Sequence, residues 1–230
     1  NTTTNESYFK PYTTIERGGV KIAVLGLITP AIPQWLPEKI WQGMRFDDMI
    51  ETAQKWVKKI RATEQPDLMI GLFHAGVDYT YNDQNENTYK NENASRLVAE
   101  KVDGLDVVFV GHDHSGWNIK TKNPSGKDVL ILGTTAGARN VAVANYVLKY
   151  DKMCMIYDKK EIKGELIDMK NYAPDAEFMN RYKNNFEEAK NYVSRPVGEF
   201  SEMISSRDAM FGPSKFVDLI HTIQLDITDA

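Results

Sequence analysis

Three of the four histidines in this chain stand where apolar runs end. His74 closes the run that begins at Asp67 and is followed by Ala75 and Gly76. His112 and His114 follow the run from Asp106 to Val110, in the order Gly111, His112, Asp113, His114. Neutral imidazole is a good ligand for zinc, iron, manganese and copper. Two histidines one residue apart present their rings on the same side wherever the backbone is extended. Gly76 and Gly111 permit tight turns beside them. A single histidine at a strand end is more often a hydrogen-bonded structural residue, and the matched pair of run ends is what points to a metal. Asp113 is expected to face away from the ion and hold the loop. His221 lies on an apolar helical face and is expected to pack.

The elements that must bring these rings together can be read from hydropathy. Continuous apolar runs of strand length suit strands buried on both faces. Between the two runs, Ala94, Leu97, Val98 and Val102 mark one face of a helix predicted over 92–102. That makes a strand–helix–strand unit with parallel strands. Parallel strands place their carboxyl ends on one edge of the sheet, where open α/β sheets bind ligands. His74, His112 and His114 are therefore expected to converge. A second such unit precedes it. Val20 to Leu27 reads as a buried strand, and Phe46, Met49, Ile50, Ala53, Trp56, Val57 and Ile60 predict a helix over 47–62. Leu27, Phe73 and Val110 are expected on strands of one sheet.

The remainder is organised around this frame. Residues 8–16 can pair with 20–27 across Arg17, Gly18 and Gly19. Residues 29–43 carry Trp35 and Trp41, which either pin a loop or form a rim near the site. Residues 78–91 are a polar exposed loop, and 118–127 read as a turn-rich connection. Strands are predicted over 128–133 and 141–150, with a hairpin of 153–157 and 161–169 around Asp158, Lys159 and Lys160. Pro174 opens a predicted long helix to Val193, with Phe178, Tyr182, Phe186, Ala189 and Val193 on its buried stripe. A short strand-like piece and a helix over 214–225, capped by Ser214, complete the chain.

The 230 residues carry a formal net charge of −4, which argues against a broad basic face gripping nucleic acid. No apolar run reaches the length of a membrane span. Cys154 is the one cysteine, so an internal disulfide and a thiolate metal cluster are both excluded.

The Gly111-His112-Asp113-His114 motif, the His74-Ala75-Gly76 motif and the strand from Val20 to Pro30 resemble the calcineurin-like metallophosphoesterases. Within them the chain is similar to the two-domain 5′-nucleotidases and 2′,3′-cyclic-nucleotide 2′-phosphodiesterases. Residues 30–35, the helix over 48–57 and Glu92-Asn93-Ala94 look more like the cyclic-phosphodiesterase branch. Gly133 to Gly137, Ser205 to Asp208 and Phe216 to Ile220 also fit. The resemblance implies an α/β fold: the C-terminal half of a metallophosphoesterase αββα sandwich, with βαβ units and then antiparallel strands. A long linker helix and the start of a second domain follow. The implied boundaries are 1–170 for the metallophosphoesterase portion, 171–196 for the linker helix and 197–230 for the beginning of a nucleoside-binding domain.

The resemblance also implies a site with two divalent ions, manganese, zinc or similar, with His74 and His112 on one and His114 on the other. It implies a nucleotide or cyclic-nucleotide substrate and an exported protein, periplasmic or at the cell surface. The family's Asp-x-His, Gly-Asp and Gly-Asn-His-Glu/Asp motifs do not occur here and would precede Asn1, so no catalytic residue is assigned. The chain is accordingly expected to be an internal fragment with little activity of its own. Three histidines without a carboxylate should hold a hard cation poorly. A half-sheet is expected to leave an unpaired central strand and an uncovered apolar face. The missing portion, or a second copy of the chain, would cover it. Two other readings of the histidines stay open: a mononuclear zinc hydrolase with water as fourth ligand, and a non-catalytic metal-binding or interaction module.

Overall fold

A computed structural model describes residues 1–152 and 156–229; side chains of 156–160 lie outside the description, as does Cys154. The chain divides into two compact units, Asn1–Tyr172 and Ala173–Ala230.

The first unit is built on a six-stranded sheet. Its strands are β1 (Tyr12–Arg17), β2 (Val20–Ile28), β3 (Leu68–His74), β4 (Val107–Val110), β5 (Trp117–Lys122) and β6 (Asp128–Gly133), in the order β1-β2-β3-β4-β6-β5. The four central strands run parallel, and β1 and β5 close the edges antiparallel. Leu27 lies opposite Phe73, and Phe73 opposite Val110, as the hydropathy predicts. Every central strand is paired on both sides, so the expected unpaired central strand does not exist. The edge that closes beyond β6 is β5, in a stretch the sequence reads as a connection. Its alternation of half-buried Trp117, Ile119 and Thr121 with exposed residues is the half-covered strand pattern.

Two opening aspartates tie the strands at their amino ends. Asp67 Oδ2 accepts from the Lys21 N–H at 2.7 Å. Asp106 Oδ2 accepts from the Met69 N–H at 2.8 Å and from Arg61 at 3.2 Å.

Alternation along the strands separates two faces. Ala23, Leu25, Met69, Phe73, Val108, Val110, Val129 and Ile131 face two helices. These are α3 (Met49–Thr63) and α4 (Ser95–Lys101), which follow the short turns α1 (Ile32–Trp35) and α2 (Glu38–Trp41). Helix α3 buries Met49, Ala53, Val57 and Ile60, one residue per turn. Asp48 caps it, accepting from the Ile50 and Glu51 N–H groups, and its second oxygen accepts from the Lys90 N–H. Helix α4 begins three residues later than its apolar stripe predicts, because residues 91–94 are used otherwise, as described below.

On the opposite face, Val107, Leu130 and Leu132 pack against Ala142, Ala144, Tyr146 and Ile162. The latter belong to an antiparallel pair, β7 (Asn140–Asp151) and β8 (Ile156–Asp168). The predicted hairpin around 158–160 is replaced by this longer pair, in which Lys149 lies opposite Asp158 and Leu148 opposite Lys159. Two of the three residues read as a turn, Asp158 and Lys159, pair with β7, and the register shifts between Val147 and Leu148. The pair covers only the β4–β6 side. Ile15, Ile28 and Leu72 remain exposed, Leu72 by 56%, so the expected uncovered apolar face is present.

In the second unit the predicted single helix is two, α5 (Ala176–Arg181) and α6 (Lys183–Val193), broken at Tyr182 with φ −102° and ψ 9°. The stripe of Phe178, Tyr182, Phe186 and Val193 is exposed, not buried. A helix draws most of its stability from packing of that stripe, and among the described residues of this unit the stripe stays exposed. Residues 197–205 form no strand. Ser214 caps α7 (Lys215–Thr228) through the Val217 N–H, as predicted. His221 on it is exposed, not packed.

Candidate metal centre

The candidate site lies at the carboxyl edge of the sheet, in the first unit. His74 is the last residue of β3, opposite Ile28 of β2. Its carbonyl accepts from the Thr29 N–H at 2.9 Å, so chain leaving β2 is held against it. The Gly111 N–H bonds the Phe73 carbonyl at 3.0 Å and carries β4 one residue past its end to the same edge. A Cβ on Gly111 would stand 3.4 Å from His74 Nδ1, an ordinary van der Waals contact, so the ring packs directly beside this residue. His112 then follows, and its ring meets that of His74 edge to face, centroids 5.4 Å apart at 61°. The convergence of residues 74 and 112 is therefore real.

His114 does not join them. The strand ends at Val110, and His112 and His114 both have positive φ, 92° and 55°. The extended backbone that would turn both rings to one side is absent, and His114 is exposed. Among the described residues, no hydrogen bond or ring contact links it to the pair, and no group of three His, Cys, Asp or Glu side chains forms a ready metal cluster. Positive φ at two non-glycine residues costs on the order of 1–3 kcal/mol each and persists only where surroundings impose it. Asp113, between them, imposes it. Its Oδ2 accepts from the Val77 N–H at 3.0 Å and from Trp117 Nε1 at 2.8 Å, and its Oδ1 from the Ser115 N–H at 3.2 Å. Asp113 holds the loop, as expected from sequence.

Two further side chains reach His112. Trp35, from α1, stacks on its ring with centroids 5.1 Å apart at 26°. Of the two roles open to the tryptophans, Trp35 thus forms the rim of the site. Trp41 pins the loop, its Nε1 donating to the Leu36 carbonyl at 2.9 Å. The second side chain is Glu92, whose Oε1 lies 3.0 Å from His112 Nε2 with its side chain only 8% exposed. Sequence reasoning placed Glu92 at a helix start and expected no carboxylate beside the histidines. The signal available was the run Asn91-Glu92-Asn93, polar residues just before a buried helix.

That run is stitched to the segment after His74. Asn93 Oδ1 accepts from the Gly76 N–H at 3.1 Å, Ser95 Oγ donates to the Ala75 carbonyl at 2.8 Å, and the Ser95 N–H donates to the Gly76 carbonyl. A Cβ on Gly76 would stand 2.5 Å from Asn93 Oδ1, so only glycine allows the close approach. Asn91 holds the far side, donating to the Tyr79 and Asn85 carbonyls.

No protein-family model matches the chain. A 2′,3′-cyclic-nucleotide 2′-phosphodiesterase/3′-nucleotidase of Haemophilus influenzae is 24% identical over 96% of this chain and 36% of its own length. A 5′-nucleotidase of Vibrio cholerae is 29% identical over 52% of this chain and 22% of its own length. The chain spans about a third or less of these curated relatives. Among solved structures, the calcineurin-like phosphoesterase YfkN from Bacillus subtilis superposes with a TM-score of 0.69 at 22% identity, covering 84% of this chain and 62% of that one. A putative 5′-nucleotidase from Staphylococcus aureus also reaches 0.69, at 16% identity, covering 96% of this chain and 42% of that one. The resemblance read from the histidine motifs is borne out. The fold is that of the calcineurin-like phosphoesterases, and the relatives by sequence are nucleotidases and cyclic-nucleotide phosphodiesterases.

Proposed function

We propose that this chain is the histidine-bearing portion of a divalent-metal phosphohydrolase that acts on nucleotides, as a 5′-nucleotidase or a 2′,3′-cyclic-nucleotide 2′-phosphodiesterase. The observation that carries the reading is the meeting of His74 and His112 at the carboxyl edge of a parallel sheet, on a fold shared with phosphoesterases. The donor set fits a divalent ion. Two imidazoles stand side by side, and the ring nitrogens of His74 have no hydrogen-bond partner among the described residues. Imidazole suits zinc, manganese and iron.

His74 and His112 would hold one ion, and the resemblance assigns His114 to a second. Bound ions would supply a hydroxide nucleophile and neutralise charge developing on the phosphoryl oxygens. The chain's own part is to hold imidazoles at fixed places and to wall the site with Trp35. The remaining ligands and the group assisting the leaving oxygen would come from further chain, which the greater length of the relatives supports. That further chain, or a second copy, would also cover Ile15, Ile28 and Leu72. In the same reading residues 171–196 link the portion 1–170 to the beginning of a nucleoside-binding domain at 197–230, and the protein is exported to the periplasm or cell surface. Among the described residues no helix is long and apolar enough to cross a membrane.

The test is hydrolysis of a 2′,3′-cyclic nucleotide and of a 5′-nucleotide with added manganese or zinc. A longer protein containing residues 1–230 is expected to hydrolyse at least one of them and to lose that activity in a His112→Ala form, while the 230-residue chain stays at the buffer rate. Full activity of the His112→Ala form would overturn the proposal.

A further inference from the structure

We propose that Glu92 is a positioning residue of the metal site, which presents His112 to a divalent ion through Nδ1 by engaging its Nε2. The inference rests on the metal reading above and goes further, to the ring atom used and the residue that selects it.

A carboxylate can only accept hydrogen bonds. Contact between Glu92 Oε1 and His112 Nε2 at 3.0 Å therefore places the proton of a neutral His112 ring on Nε2 and leaves the lone pair on Nδ1. Histidines that bind metals generally give their other ring N–H to a carboxylate or carbonyl, which sets both tautomer and orientation. Glu92 has the attributes of such a partner. Its side chain is almost wholly buried, and its own N–H donates to Gln84 Oε1 at 3.0 Å. Its neighbours Asn91, Asn93 and Ser95 are buried and clasp the segment that follows His74. The same clasp thus places the carboxylate against one histidine and anchors the chain carrying the other. Trp35 stacked on the His112 ring removes the remaining freedom, rotation of the ring plane. Among the described residues, Nδ1 is the ring atom of His112 left without a partner.

The test uses histidine-labelled chain and nitrogen NMR, in which four histidines give few signals to assign. In the metal-free chain, His112 is expected as a single Nε2–H form with a slowly exchanging proton, and zinc is expected to shift Nδ1. Glu92→Ala should weaken zinc binding about 10–100-fold and release the ring to a mixture of tautomers. Glu92→Gln keeps the size and packing but offers a donor as well as an acceptor, so it should fold normally yet still mix the tautomers and weaken zinc binding, an effect that a purely structural role for the residue would not give. Zinc on Nε2 in the unaltered chain, or a single Nε2–H form with undiminished zinc binding in folded Glu92→Gln, overturns the inference. Failure of zinc to reach either His74 or His112 overturns the metal reading and this inference with it, and the metal-free spectrum then separates the two causes by showing whether the Glu92 contact exists at all.

Discussion

Replacing His74 by alanine is expected to weaken zinc binding by the chain on the order of 100-fold or more, with almost no change in stability. The ring is exposed and forms no hydrogen bond among the described residues, so its removal should move the unfolding free energy by less than about 0.5 kcal/mol. It nonetheless supplies one of the two adjacent imidazoles, and its loss should exceed the roughly 10–100-fold effect of removing a partner that only orients a ligand. His112→Ala should lose metal to a similar degree but also destabilise. It strands the buried carboxylate of Glu92, and a buried group left without its partner costs about 1–3 kcal/mol or more. Equilibrium dialysis with metal analysis, paired with urea denaturation, separates the two effects. Unchanged metal retention in both variants would contradict the assignment.

Replacing Ile131 by alanine is expected to cost about 2–5 kcal/mol, the range for deleting a large buried aliphatic chain. Ile131 is fully buried at the centre of β6, between Val108 of β4 and Ile119 of β5, under the helices. A loss of that size is a large share of a typical domain's stability, and the melting temperature should fall by many degrees. Leu72→Ala is the counterpart. Leu72 lies on the bare side of the sheet, and in the isolated chain its truncation should move stability by less than about 0.5 kcal/mol. In a longer protein or an assembly that covers this face, the same substitution should cost several times more. Thermal melts of both forms measure the difference.

How much of this was legible in the sequence depends on whether a feature is set locally. The parallel core was readable, because uninterrupted apolar runs such as Val107 to Val110 leave few alternatives, the apolar spacing from Phe46 to Ile60 marks a helix, and Ser214 announces another. The edge strand β5 was not, since its alternation of Trp117, Ile119 and Thr121 with polar residues is short and borders turn residues. The turn placed at residues 158–160 failed because Lys and Asp read as turn formers until a partner strand is known. The helix over 174–193 was read as unbroken, because a sequence stripe does not tell whether anything packs on it.

The site shows the same division. Residues 74 and 112 were assigned from parallel strand ends, a property of topology. Residue 114 was placed by assuming extended backbone, and positive φ on both sides of Asp113 defeats that assumption. Glu92 was invisible as a partner because it reaches His112 across 20 residues of chain, through a clasp that depends on Gly76 and Asn93 meeting.

The central claim is that His74 and His112 serve one metal ion. Titrating histidine-labelled, metal-free chain with zinc while following the ring nitrogens of all four histidines tests it directly. The expected result is that signals of His74 and His112 move together over the same range of added zinc, while His221 stays fixed. Independent movement of the two rings, or zinc taken up elsewhere while both remain unchanged, would contradict it.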